Sequence, residues 1–426
     1  MRLPPWALQA LRQGAADVAR KASDDATLAK LREQASELFR DLPESASRGL
    51  DAVLKTAGGA AKEVVEQGRD AFRSWATPAQ AIVVNCCNAS GVLMHSKGTG
   101  VPVDETILQA GVELLRGDKL GDSRPAIDTA LNEALQRDGN AIAVANNLEA
   151  ALAALVTLAD GNTLAIHRSH AIRLPSGLPL PDAFANANLR ECGGVQSIEL
   201  DDFRDVDRGI VVLADNGNSE LSALDFSERD VTSVAVLPVG TLRDRYDEVP
   251  SAEVLLRNGF DLVVVTGGPL TGGVDCGIVI GNRSLVQHIT QHRSWHVLAA
   301  ADSVAAITLA ALTRDVESPM EQLLDAGEDN LRGRVERMAT RLAAVESVES
   351  TRITDDKASL ISSSRWTYAS RQLRIRHKSL SSDEWANQLA QRETAVIAAA
   401  EGDELVVDLR WVPPSADADL GDALCG

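Results

Sequence analysis

The stretch Asp261–Gly281, D-L-V-V-V-T-G-G-P-L-T-G-G-V-D-C-G-I-V-I-G, decides how the rest of the chain is read. Two runs of mostly β-branched residues, Leu262–Val265 and Ile278–Ile280, enclose a turn with five glycines and a proline. That pattern predicts strand, tight loop, strand. A loop fixed between buried strands is where chemistry would sit, because the scaffold holds it in place.

Outward from this stretch the texture is alternating. Ile82–Val84, Ala141–Val144, Thr163–Ile166, Ile210–Ala214 and Val234–Leu237 read as strands, and Thr106–Leu115, Ala126–Gln136 and Leu148–Leu158 as helices. Such alternation predicts an α/β fold with a mostly parallel sheet between helical layers, and ligands at the carboxyl ends of its strands. Further on, Val304–Thr313 and Met320–Ala344 read as helices and Gln372–Arg376 as a strand. Ser381-x-x-Glu384 is a capping box opening a helix over Trp385–Ala400; Glu401-Gly402-Asp403 then turns into the strand Leu405–Leu409. Residues 1–75 carry apolar stripes at helical spacing, broken at Pro43 and Gly58-Gly59. The expected organisation is an N-terminal helical region over 1–78, a large α/β domain over 79–315, and a small α+β domain over 316–426.

Composition bounds the function. The 426 residues are 45% hydrophobic, enough for a large core, and no run reaches the ~20 apolar residues of a membrane helix. Met1–Arg12 has no signal-peptide pattern, so the expected location is the cytoplasm. Of the formal charge of −19, residues 76–426 hold 30 Lys and Arg against 50 Asp and Glu. So acidic a surface repels phosphate backbones. The five cysteines include no C-x-x-C pair and read as small buried hydrophobes. His288, His292 and His296 have the spacing of one helical face, but no carboxylate setting supports a metal, and none is expected.

Several segments together resemble one family. Asn88-Ala89-Ser90-Gly91-Val92-Leu93-Met94-His95-Ser96 is similar to the N-A-T-G-x-x-L-H-T opening of bacterial selenocysteine synthase, the L-seryl-tRNA(Sec) selenium transferase. Val144-Ala145-Asn146-Asn147 resembles that family's V-N-N-N segment, and His167-Arg168 through Leu180-Pro181-Asp182 its S-R-G-E…R-I-P-D segment. Val406-Val407-Asp408-Leu409-Arg410 resembles its D-L-R strand. The resemblance covers roughly residues 80–412. It implies the fold type I architecture of pyridoxal-phosphate (PLP) transferases, with a seven-stranded type of sheet and a homo-oligomer.

The departures fall on the chemical positions. The family loop reads S-G-D-K-L-L-G-G; here Thr266-Gly267-Gly268-Pro269-Leu270-Thr271-Gly272-Gly273 keeps the glycine frame and puts Pro269 at the lysine that binds PLP. Proline has no free amine and cannot form an imine. The family acid expected to pair with the pyridinium nitrogen falls on Val236. No lysine lies between Lys119 and Lys357, and Lys97 is the only one in a motif near the inferred pocket. The candidate pocket is His95, Ser96, Asn146, Asn147, Arg168, Asn218, Thr266, Gly272 and Gly273, with no catalytic residue assigned. His95 has two readings, a loop-fixing hydrogen bond or a ring stacked on a ligand. Asn146 reads as a helix cap or an anion site, and Asn218 first as a turn residue.

The leading expectation is a family member without covalent PLP catalysis, a pseudoenzyme with a binding or scaffolding role; PLP could be held only otherwise than as a lysine aldimine at position 269. The alternatives are a PLP-dependent transferase or lyase on a small amino-acid-like substrate, or the selenium transferase reaction that the resemblance implies. Expected partners are further copies of the chain, or a lysine-bearing paralogue; tRNA and membranes are not expected.

Overall fold

The computed structural model describes residues 84–426 except 117–120, 136–138, 196, 219, 247–248, 316 and 393. Residues 85–426 form one compact unit. The helical region expected over 1–78 lies outside the described residues.

The chain opens with β1 (Asn85–Asn88), α1 (Glu105–Leu115) and α2 (Arg124–Ala134), then enters the main sheet through β2 (Asn140–Ala145) and α3 (Leu148–Ala159). The sheet continues with β3 (Thr163–His167), β4 (Asn188–Cys192), β5 (Arg208–Ala214) and β6 (Asp230–Leu237). After α4 (Ala252–Arg257) come β7 (Leu262–Thr266) and β8 (Gly277–Asn282). The order across the sheet is β2-β8-β7-β6-β5-β3-β4, with β8 antiparallel to both neighbours and the other adjacent pairs parallel.

Helices cover both faces, which is why the central strands read as continuous apolar runs. Val211, Leu213, Ala235, Leu237, Val263 and Val265 pack into one cluster with Ile127 and Leu131 of α2. Ile210, Val212, Val234, Val236 and Val264 point the other way and join Leu148, Leu152 and Leu155 of α3. The loop between β7 and β8 is thereby held from both sides.

Beyond the sheet run α5 (Arg283–Gln291), α6 (Trp295–Leu298), α7 (Asp302–Thr313), α8 (Pro319–Leu324) and α9 (Glu328–Ala343). The single helix read over 320–344 is thus two, broken at Asp325–Gly327, where glycine withdraws helix propensity. A second sheet, in the order β14-β15-β12-β9, is built from β9 (Val348–Thr354), β12 (Gln372–His377), β14 (Ala399–Glu401) and β15 (Glu404–Asp408). Two short strands, β10 (Ala358–Ser359) and β11 (Thr367–Tyr368), pair with each other before β12.

Two sequence readings change here. The capping box at Ser381 and Glu384 is present, but its helix, α10 (Ser382–Ala390), ends early; Thr394–Ile397 form β13, as their β-branched residues favour. And β1, which the sequence puts with the large domain, pairs in parallel with β13, so Cys87 and Ala89 sit in the core of the C-terminal layer. The chain ends in α11 (Asp417–Cys425).

Inserting β8 between β2 and β7 requires glycine where backbones meet. A Cβ on Gly277 would stand 2.1 Å from the Asn147 carbonyl oxygen and 2.7 Å from Ala151 Cβ. Gly277→Ala is therefore expected to lower unfolding free energy in urea by about 1–3 kcal/mol, the range for overpacking a filled site. Gly194→Ala, which meets open space, should stay within about 0.5 kcal/mol of the parent.

Candidate functional site

The glycine loop is closed by its own backbone. Gly267 N–H donates to Cys276 O at 2.8 Å, which ties the two strand ends together. Gly268, at φ 116°, leads into a single 3-10 turn, Pro269–Thr271. Thr271 N–H and Gly273 N–H donate to Gly268 O, and Gly272 N–H donates to Pro269 O. None of these bonds needs an N–H from residue 269, and proline's fixed φ suits the first position of such a turn.

Gly272 is left-handed (φ 73°), and a Cβ there would lie 2.5 Å from Arg314 Nη1. That guanidinium backs the loop and pairs with Glu321 at 2.8 Å; Arg245 joins the same carboxylate. Burial works to raise the Glu321 carboxyl, but the bonds from Arg314 and the Ser318 backbone and the charge of Arg245 outweigh it and hold it below the usual range. The arginine that backs the loop, Arg314, is thus already paired, and the single Glu321 carboxylate is shared with Arg245.

At the loop's root, Thr266 Oγ1 is buried without a hydrogen-bond partner. Asn146 and Asn147 adjoin it through Gly277 but have local duties. Asn146 Nδ2 donates to Val297 O at 3.2 Å, and Asn147 Oδ1 caps α3 by accepting from Ala150 N–H at 2.8 Å. The capping seat read at Asn146 therefore falls one residue later. Val236 is fully buried among Val212, Ala214, Val234 and Val264. An unpaired carboxylate there would be strongly disfavoured.

At the end of β5, Asp215 is buried and accepts two hydrogen bonds from Arg365, at 2.9 and 2.8 Å, and one from Gly217 N–H at 2.9 Å. Breaking a buried pair by removing one partner costs about 3–5 kcal/mol. The lower end applies here, because the Arg365 side chain is 25% exposed. Asn216 Nδ2 reaches Ser169 O at 3.3 Å, and exposed Asn218 gives its N–H to Asn216 Oδ1 at 2.9 Å, the turn role read for it.

On the adjoining turn after β3, Arg168 is exposed and donates to Gly193 O. His167 Nδ1 lies 2.7 Å from Ser169 Oγ, and its Nε2 lies 3.4 Å from Asp202 Oδ2. His170 is 3% exposed and its Nδ1 has no hydrogen-bond partner. Burial, with a smaller push from His167 and an opposing pull from Asp215, brings its pKa down to about 4.

His95 keeps to its own loop. Its Nδ1 accepts from Lys97 N–H at 3.2 Å, the loop-fixing role, while Ser96 and Lys97 are exposed. The matched N-A-S-G segment is a joint: buried Asn88 donates to Val92 O and Leu93 O, and Asp408 N–H donates to Ala89 O. Trp411 Nε1 then bonds Gly91 O and Ser359 O.

The buried thiols are unsuited to redox work. Cys87, Cys192 and Cys276 are buried and Cys86 and Cys425 partly so; burial pushes Cys87 up to about 12 and Cys276 up to about 11. The three spaced histidines do not share one helical face, because α5 ends before His292 and His296 lies on α6.

Comparison with known proteins adds the family. A family described as L-seryl-tRNA selenium transferase matches residues 88–413. The chain belongs to that family. The L-seryl-tRNA(Sec) selenium transferase of Aquifex aeolicus (strain VF5) is 24% identical over 76% of this chain and 80% of its own length. That of Geobacter sulfurreducens is 26% identical, over 65% and 66%. A solved D-glucosaminate-6-phosphate ammonia-lyase shares the fold, with TM-score 0.57 and 12% identity over 82% of this chain and 96% of that one.

The architecture is that of fold type I PLP enzymes. The residues of the glycine loop, 266–277, include no lysine and do not fit covalent attachment of PLP. The lysines among the described residues, Lys97, Lys357 and Lys378, are exposed and lie outside the seven-stranded sheet and its glycine loop. Sequence reading missed Arg365 altogether and passed over Asp215; an acid before Asn-Gly at a strand end was the one available signal.

Because folded His170 refuses a proton down to about pH 4 while the unfolded imidazole takes one at 6.5, its stabilisation is complete above pH 6.5 and lost as pH falls to 4. At 1.36 kcal/mol per unit the loss reaches about 3 kcal/mol. Urea unfolding at stepped pH should show His170→Gln with a shallower decline than the parent over that window.

Proposed function

We propose that this member of the selenium transferase family has left covalent PLP chemistry and works by binding, as a pseudoenzyme. The observation that carries the reading is the closed Gly268–Gly273 loop with Pro269 at its first helical position, where the family places a reactive amine. Buried Val236 supports it, because its side chain offers no charge to hold a pyridinium protonated, and the carboxylate of Asp215 beside it is engaged by Arg365.

The same reading extends to partners. Assembly into an oligomer, with itself or with a lysine-bearing relative, gives a preserved frame a use without its own amine. With 50 acids against 30 bases over residues 76–426, tRNA handling is not expected of this chain alone. Among the described residues no helix is long and apolar enough to cross a membrane.

The test is PLP titration of the full-length protein followed by borohydride reduction and mass analysis. The expected result is no adduct on any specific lysine at stoichiometric PLP. A single, saturable, reducible adduct would overturn the proposal, and dialysable PLP binding accompanied by turnover of an amino acid would replace it with noncovalent catalysis.

A further inference from the structure

The carboxyl ends of the strands are covered by the chain itself. Segment 361–366, between β10 and β11, lies against the Gly217 turn so closely that a Cβ there would stand 3.1 Å from Ser364 Cβ and 3.3 Å from Ile361 Cδ1 and Trp366 Cζ3. Arg365 N–H donates to Gly217 O at 2.8 Å while its guanidinium grips Asp215. Trp366 shares an apolar cluster with Leu93, Leu360 and Val239, against which Leu270 of the glycine loop also packs.

Two features mark this as more than packing. Ser363 sits at φ 59°, a left-handed conformation uncommon for a residue other than glycine. On the neighbouring turn, joined to this one by the bond from Asn216 Nδ2 to Ser169 O, His170 Nδ1 is buried with no partner, an unusual state for a polar atom so deep. Among the described residues, the polar hold on the strand-end turn comes from Arg365 alone, through its backbone N–H and its guanidinium, and it lies next to a turn with unused hydrogen-bonding capacity.

We propose that segment 361–366 is an internal plug, in which Arg365 occupies a guanidinium-binding subsite formed by Asp215, and that a ligand bearing a free guanidinium displaces it. A carboxylate accepting two parallel N–H bonds selects a planar fork over a point-like ammonium. The incoming group replaces the Arg365 side chain on Asp215, and the plug leaves the strand ends open beside His170. This deepens the binding role proposed above, but its test reads Asp215, whereas that role stands or falls on borohydride reduction.

The experiment uses the full chain with methylguanidinium chloride as probe, at up to tens of millimolar, against tetramethylammonium chloride at equal ionic strength. Hydrogen exchange is followed in peptides spanning 358–368, with the β12 peptide 372–377 as a check on general unfolding. Methylguanidinium should raise exchange in 358–368 alone. Arg365→Ala should bind the probe saturably, seen as a raised Tm, with at least tenfold higher apparent affinity than the parent, because the internal competitor is gone. Arg365→Ala combined with Asp215→Asn should lose that response. The proposal is overturned if Arg365→Ala responds no better than the double variant, or if 358–368 stays as protected in methylguanidinium as in tetramethylammonium. Should Arg365→Ala fail to fold, Arg365→Gln serves in its place, and the exchange result on the parent protein decides by itself.

Discussion

The structure depends on one strand running the wrong way. β8 returns antiparallel between β2 and β7, and both neighbours bond to it, so the sheet is continuous only if this strand fits. It fits because Gly277 and Gly281 let carbonyl oxygens of Asn147 and Asp261 stand within 2.1 and 2.2 Å of where a Cβ would be. The reversal forces the chain through a short loop at the carboxyl end of β7. That loop is the one on which the family's chemistry is built, so the same constraint that completes the core fixes the shape of the site.

A second joint ties the C-terminal layer to the start of the described chain. Asn88 and Asp408 are both buried and both satisfied: Asp408 accepts from Ser370 Oγ, Gln372 Nε2 and Arg410 N–H. Burial raises its pKa in spite of those donors. Two of the segments that resemble the family are thus neighbours in space, joined through Ala89 O and Trp411. Their resemblance to relatives follows from holding the two layers together as readily as from touching a ligand.

Much of the sheet was legible because strands covered on both faces leave uninterrupted apolar runs, as in Ile210–Ala214 and Leu262–Val265. Local rules failed where pairing is remote. Nothing in Asn85–Asn88 announces a partner at Thr394–Ile397. The helical pattern begun at Ser381 stops at Ala390, and the β-branched residues of Thr394–Ile397 were its one local warning. The site divides the same way. The glycine frame and the missing amine can be read residue by residue, whereas Asp215 and Arg365 stand 150 positions apart and meet only in the fold. Unused buried atoms, such as His170 Nδ1 and Thr266 Oγ1, have no sequence signature at all.

The bonds that close the Gly268–Gly273 turn run between backbone groups and from Thr271 Oγ1 to Gly268 O, and to them residue 269 contributes only a carbonyl. Those bonds therefore do not depend on which side chain occupies that position, although proline's fixed φ suits the start of the turn. A lineage can lose the amine in a single substitution while every helix, strand and close approach stays in place. The shape of this turn and the side chain it displays at position 269 are therefore physically separable, since none of the bonds that set the first passes through the second.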